Sequence, residues 1–341
     1  MNKRAFLEGF LTASTVAFGG QFMWRRLSRP DTLVVSPSSL ARAAESAATA
    51  GDIAIPGTLT RNPGEAFQFT PIEIKSAAPV EGVPAPAPTL EQPISTAGLS
   101  DEEVESYLRK IRNFDAVFAS DIFLDASYET LLLQTTRHMS RVESYMGHGN
   151  FNLMSFDEML RAGRTFPAIG EFTAEELNFL EEVFFANPNR YGFFGKKISH
   201  SLTDVIPRND VAKVARTGHF LLRGESLNLY NRLKRDVGND LILTSGVRSV
   251  VKQMHLFLAK SVEANGNLSR ASRSLAPPGH SYHGVGDFDI GKIGFGARNF
   301  TADFSSTEEY QRISKLGYVD IRYPTDNLFG VRFEPWHIKI S

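Results

Sequence analysis

The sequence predicts an α+β fold: a mainly helical region over residues 100–217, then residues 218–341, where a small antiparallel sheet is flanked by helices. Two observations predict the helices and one predicts the sheet. Helix-start signatures recur at Ser100, Ser155 and Thr173, and apolar residues recur at helical spacing behind them. Nearer the C-terminus, short apolar runs bounded by turn residues replace that periodicity.

In "SDEE", "SFDE" and "TAEE" a hydroxyl is followed three residues later by Glu. The hydroxyl can accept from an early helical N–H while the Glu reaches back to the cap N–H, so a helix is expected to start at each. Phe179, Leu180, Val183 and Phe184 share one helical face, which assigns them to a core. The aromatic run "RYGFFGKK" and His200 are read as packing, and no chemistry is assigned to residues 100–217.

From Gly218 the pattern mixes. Leu222, Leu229, Leu233 and Val237 define an amphipathic helix that Gly238 stops. "DLILTSG" reads as a strand, "VRSVVKQMHLFLAKSVEANG" as a helix ending at Asn265-Gly266, and "DFDIG" and "GVRFEPWHIKI" as strands.

The first residues form a different segment. Lys3 and Arg4 precede a moderately apolar run from Ala5 to Trp24, so residues 1–27 are expected to be an export signal or membrane anchor. "NKRAFLE" resembles a twin-arginine export motif with Lys in place of the first arginine. Residues 28–99 are rich in Ala, Pro, Ser and Thr, the composition of an extended linker able to hold a domain away from a membrane. A periplasmic or otherwise exported protein is expected, either released by cleavage or tethered to a membrane through its N-terminal segment.

With 37 Lys and Arg against 38 acidic residues, the chain offers no charge excess for phosphate contacts, and no nucleic-acid partner is expected. It has no cysteine, so any metal site must be built from His and carboxylate groups. Of eight histidines, two fall in "APPGHSYHGVGDFDIG" and another, His337, in "EPWH". Two imidazoles and a carboxylate suit Zn²⁺ and leave a fourth position open for water, the arrangement of a hydrolytic site.

"SGVRS" at 245–249 with Gln253, then "APPGHSYHGVGDFDIG", "RYP" and "FEPWHIKI", resemble in order the zinc D-alanyl-D-alanine carboxypeptidases of the VanY type, a LAS-type metallopeptidase family. The resemblance covers residues 218–341. The family signature is S-x-H-x-x-G-x-A-x-D followed by E-x-W-H, and Ser281, His283 and Gly286 match its first half. The aspartate arrives one residue early, since Ile290 stands at the family position. Asp289 is preferred as the third ligand because it leads into "DIG", and Asp287, two residues earlier on the same strand face, stays open as an alternative. The resemblance thus implies a Zn²⁺ site of His283, Asp289 and His337. It also implies Glu334 as general base, Arg248 binding the peptide's terminal carboxylate, and Gln253 and Ser281 lining the substrate pocket. For Glu334 and His337 to reach one metal the chain must bend between them, and Pro335 suits a bulge.

The expected function is zinc-dependent removal of the C-terminal D-Ala from peptidoglycan stem peptides. Two other readings stay open at this stage. One is an endopeptidase or amidase of the same fold acting on peptidoglycan, and the other is a non-catalytic cell-wall-binding protein with a degraded zinc site.

Overall fold

The computed structural model describes residues 24–26 and 100–340. The rest of the expected N-terminal segment and the whole of the expected linker lie outside the described residues. Strand β1 (Trp24–Arg26) pairs antiparallel with β2 (Ile122–Leu124), Trp24 opposite Leu124.

All three helix-start signatures form capping boxes. Ser100 caps α1 (Asp101–Arg112), its hydroxyl accepting from the Glu103 N–H while the Glu103 carboxylate accepts from the Ser100 N–H. Helix α2 (Glu129–Met146) and the single turn α3 (His148–Phe151) follow. Ser155 caps α4 (Phe156–Thr165) and Thr173 caps α5 (Ala174–Phe185) in the same reciprocal way. Each box satisfies two N–H groups that a helix start would otherwise leave unpaired. Phe179, Leu180, Val183 and Phe184 are buried on α5, as their spacing predicts.

Strands β3 (Val211–Lys213) and β4 (Phe220–Leu222) form a two-stranded ribbon. Leu222, expected on the next helix, is the last residue of β4. Gly224 has φ +84, a left-handed backbone that L side chains rarely adopt, so it breaks the chain between β4 and α6 (Glu225–Val237). Gly238 ends α6. The remaining elements are β5 (Leu241–Ser245), α7 (Val250–Glu263), α8 (Leu268–Ser274), β6 (Phe288–Lys292), α9 (Glu308–Ile313), β7 (Asp320–Ile321) and β8 (His337–Lys339). The sheet runs β5-β6-β8-β7, every pair antiparallel.

The expected strand over "GVRFEPWHIKI" is shorter, comprising only His337–Lys339. Pro335 has no N–H to give a ladder, and the His337 N–H closes a turn on the Glu334 carbonyl at 3.1 Å. The chain bends there as expected, by a turn rather than a bulge.

Two large apolar clusters hold most of these elements, and a smaller one of Leu153, Val211 and Val247 packs the β3–β4 ribbon. One joins the helical region to α7 and α8 through Met139, Phe151, Phe179, Phe184, Met254 and Phe257. The other packs α6 and α9 on the sheet through Leu233, Leu241, Phe288, Ile290, Phe304 and Ile338. Polar ties reinforce the first. Asp121, just before β2, takes a double salt bridge from Arg273 on α8, at 2.8 and 3.1 Å, and a hydrogen bond from Asn267. Among the described residues no helix is long and apolar enough to cross a membrane.

Candidate metal centre and its cleft

Three buried side chains from three segments converge at one end of the sheet. His283 comes from a 3-10 turn (Tyr282–Gly284), Asp289 from β6, and His337 from the first position of β8. In the β6–β8 register His337 stands opposite Asp289. On the other side, Thr244 is an extra residue on β5: Leu243 pairs with Ile290 and Ser245 with Asp289. That bulge re-aims the end of β5 so that Gly246 and Arg248 border the same space.

Gly246 makes the close approach possible, since a Cβ there would meet the Phe220 carbonyl oxygen at 1.9 Å. Its own carbonyl accepts from Nδ1 of His283 at 2.8 Å. A carbonyl can only accept, so Nδ1 carries the proton and Nε2 presents a lone pair. Nε2 lies 3.4 Å from Oδ1 of Asp289, and both atoms are buried without a hydrogen-bond partner. Burial, aided by the charge of Arg248, lowers the His283 pKa to about 4, so its imidazole is neutral at neutral pH.

His337 is held from the opposite side. Its Nε2 donates to Oδ2 of Asp287 at 3.1 Å, which turns Nδ1 toward Oδ1 of Asp289 at 3.5 Å and Oε2 of Glu334 at 3.3 Å. Burial opposes a charge on this ring, but the bonds to Asp287 and Glu334 outweigh it and raise its pKa to about 9, so a metal ion bound at Nδ1 would have to displace a proton there. Burial likewise works against an ionised Asp289, and the neighbouring His283 and Arg248 outweigh it, leaving the pKa lowered.

The two aspartates have different surroundings. Oδ2 of Asp287 accepts from Nε of Arg322 and Nε2 of His337, and Oδ1 accepts from Nη2 of Arg322 and the Ile340 N–H. Those four bonds fill the four lone-pair sites of the carboxylate. Asp289 uses only Oδ2, which accepts from Nη2 of Arg248 at 2.6 Å, and leaves Oδ1 toward the histidines.

This donor set fits Zn²⁺. Ligands about 2.0–2.1 Å from a tetrahedral centre stand about 3.4 Å apart, and the His283–Asp289 and His337–Asp289 pairs are 3.4 and 3.5 Å apart. One atom from each of the three lies within 4.8 Å of the others. Each imidazole has its second nitrogen bonded to an acceptor, the outer support by which metal-binding histidines are oriented.

A cleft of about 130 Å³ opens over this centre, bordered by Arg248, Gln253, Ser281, Arg332, Glu334 and Trp336 among others. Gln253 donates to the Ala276 carbonyl, while its Oε1 is buried without a partner. Arg248 donates through Nε to Ser245 and through Nη2 to Asp289.

Residues 224–340 match the family model described as VanY, D-alanyl-D-alanine carboxypeptidase. This is a VanY-type domain. Solved structures overlap it at low overall similarity. The vancomycin-resistance D,D-pentapeptidase VanY from a VanB-type cassette, in complex with Zn(II), shares 25% identity, with 40% of this chain and 82% of that one covered and a TM-score of 0.32. VanYB in complex with D-alanine-D-alanine gives 25% identity, 40% and 81% coverage and 0.33. The LD-carboxypeptidase LdcB gives 22%, 38% and 62%, and 0.32. No curated protein matches the chain.

The VanY-type domain brings the seven residues of the implied site to one cleft, His283, Asp289 and His337 with Glu334, Arg248, Gln253 and Ser281, whereas the alternative ligand Asp287 does not border it. His280, which has the literal family spacing to Asp287, lies elsewhere, its Nδ1 on the carbonyls of Gly195 and Lys196. Sequence reasoning left Arg322 and Arg332 without roles. "RYP" signalled Arg322 as part of a motif, but its pairing with Asp287 spans 35 residues and has no local signature.

Proposed function

We propose that this protein is a zinc-dependent carboxypeptidase that removes the C-terminal D-alanine from peptidoglycan stem peptides. The observation that carries the reading is the pair of buried, unpartnered ligand atoms on His283 and Asp289, set at tetrahedral spacing beside Nδ1 of His337 and Glu334. An unpaired buried acceptor costs about 1–3 kcal/mol, so two facing one point favour a cation there. Zn²⁺ held by His283, Asp289 and His337 would supply a Lewis acid that polarises the scissile carbonyl and lowers the pKa of water.

The chain's own residues perform the remaining steps. Glu334 takes the proton from the attacking water and passes it to the leaving amine, as its place beside the ligand set allows. Arg248 keeps Asp289 oriented and offers Nη1, which has no bond among the described residues, to the terminal carboxylate. Gln253 presents its unpartnered Oε1 and Ser281 its hydroxyl to the peptide.

A cleft bordered by Arg248 and Arg332 suits the charged end of a peptide, which favours a carboxypeptidase over an endopeptidase acting on internal bonds. An intact ligand set speaks against a degraded, non-catalytic site. Because the substrate lies outside the cytoplasm, the N-terminal segment would serve as export signal or tether. Mass spectrometry of muropeptides incubated with the zinc-loaded protein tests the reading. Loss of one alanine supports it, and opening of cross-links without loss of alanine would replace it with the endopeptidase.

A further inference from the structure

We propose that Arg332 is a specificity-determining residue that, together with Arg248, clamps the terminal carboxylate of the peptide, and that the helical region before the VanY-type domain holds it in place. The inference rests on the carboxypeptidase reading above.

Arg332 borders the same cleft as Arg248. Its guanidinium stacks between two rings, 5.0 Å from the centroid of Trp336 and 4.5 Å from that of Phe114. Trp336 precedes the ligand His337, whereas Phe114 belongs to the loop after α1. That loop is pinned by Arg273, which donates to the carbonyls of Phe114 and Ala116 and pairs with Asp121. Stacking on aromatic faces fixes the plane of the guanidinium while leaving its N–H groups free to point along that plane.

Those N–H groups are under-used. Nη2 donates to the Phe300 carbonyl, Nε is buried without a partner, and Nη1 has no bond among the described residues. The nearest carboxylate, Oε1 of Glu334, is 3.9 Å from Nε, beyond hydrogen-bond reach. Arg248 has Nε and Nη2 engaged by Ser245 and Asp289, so it can reach a ligand through Nη1 but cannot present a two-pronged fork.

The chemistry of the leaving residue connects these facts. In a C-terminal D-alanine the amine and the carboxylate are attached to the same carbon. If Glu334 delivers the proton to that amine, the carboxylate lies only two bonds further on, within reach of a cation beside Glu334. Arg332 is that cation. Two guanidinium groups bordering one cleft of about 130 Å³ repel each other, and an anion between them removes the repulsion. A peptide amide or an internal peptide bond brings no such charge.

The test compares an N-acylated L-Lys-D-Ala-D-Ala peptide with its C-terminal amide, using the full zinc-loaded chain and its Arg332→Met, Arg332→Lys and Phe114→Leu variants. Wild type is expected to prefer the free acid by about 100-fold or more in kcat/KM. Arg332→Met should raise KM for the acid by about 10- to 100-fold, with the acid-to-amide ratio falling in step, and Arg332→Lys should sit between. Phe114→Leu, which keeps the charge and loosens its support, should lower the same ratio by a smaller factor. Should Arg332→Met fail to fold, the ratio in the Lys and Leu variants decides. A ratio unchanged from wild type in the folded variants would overturn the inference while leaving a peptidase. A wild type that cleaves acid and amide alike would also overturn it, and one that cleaves neither would overturn the parent reading and this one with it.

Discussion

Asp289 and His337 stand opposite each other on neighbouring antiparallel strands, with Oδ1 and Nδ1 3.5 Å apart. Cross-strand pairing, which brings Cβ atoms to about 5 Å, sets two of the three proposed metal ligands side by side. His283 completes the set from the turn before β6.

Metal content tests that set directly. The purified protein is expected to hold about one Zn²⁺ per chain, and His337→Ala or Asp289→Ala to lose it. Asp287→Asn should keep the ion with about 10- to 100-fold weaker affinity, because it orients His337 rather than donating to the ion. Elemental analysis with chelator competition measures both, and undiminished zinc in His337→Ala would sink the assignment.

Glu334 should separate binding from turnover. Glu334→Ala is expected to retain its zinc and lose about 100- to 10000-fold in kcat, the usual effect of removing a general base. Near-normal kcat in a zinc-loaded variant would remove Glu334 from the reaction.

Arg248 has two tasks and should show two losses. Arg248→Ala is expected to lower kcat/KM on the free-acid peptide by about 30- to 1000-fold, and also to weaken zinc, since Asp289 loses the donor that holds it. Lysine restores charge without the second N–H direction and should recover only part of each. Full activity and full zinc affinity in Arg248→Ala would refute both tasks.

The tie between Asp121 and Arg273 predicts an acid dependence of stability. Burial works against an ionised Asp121, but the bonds from Arg273, Asn267 and the Phe118 N–H outweigh it and lower its pKa. A group whose pKa is depressed on folding contributes stability that is present above its unfolded value, about 3.9, and is lost as pH falls through the folded value. Asp121→Asn should therefore cost about 3–5 kcal/mol at pH 7, where it strands a buried guanidinium, and its penalty should shrink below about pH 4. Urea melts at pH 7 and pH 3 measure this, and an equal penalty at both would refute the assignment.

Local chemistry was enough to read much of this protein from its sequence. The capping boxes at Ser100, Ser155 and Thr173 depend on residues three apart, and the α5 core face on a helical period, so both are legible in a short window. The cluster of His283, Asp289, His337 and Glu334 was legible because its motifs are compact. The choice between Asp287 and Asp289 was not, because residues two apart on a strand share a face and a periodic argument treats them alike. Only the tertiary structure separates them: Arg322 and the Ile340 N–H arrive from distant segments and fill Asp287, leaving Asp289 with an unpaired oxygen. The same holds for the turn that brings Glu334 to His337, and for Arg332, whose stacking on Phe114 joins residues far apart in the chain. Sequence determined which chemical groups this protein owns and where the capped helices begin. Folding decided which of those groups keep a free lone pair or N–H, because saturation of a buried polar atom depends on partners that no local window contains.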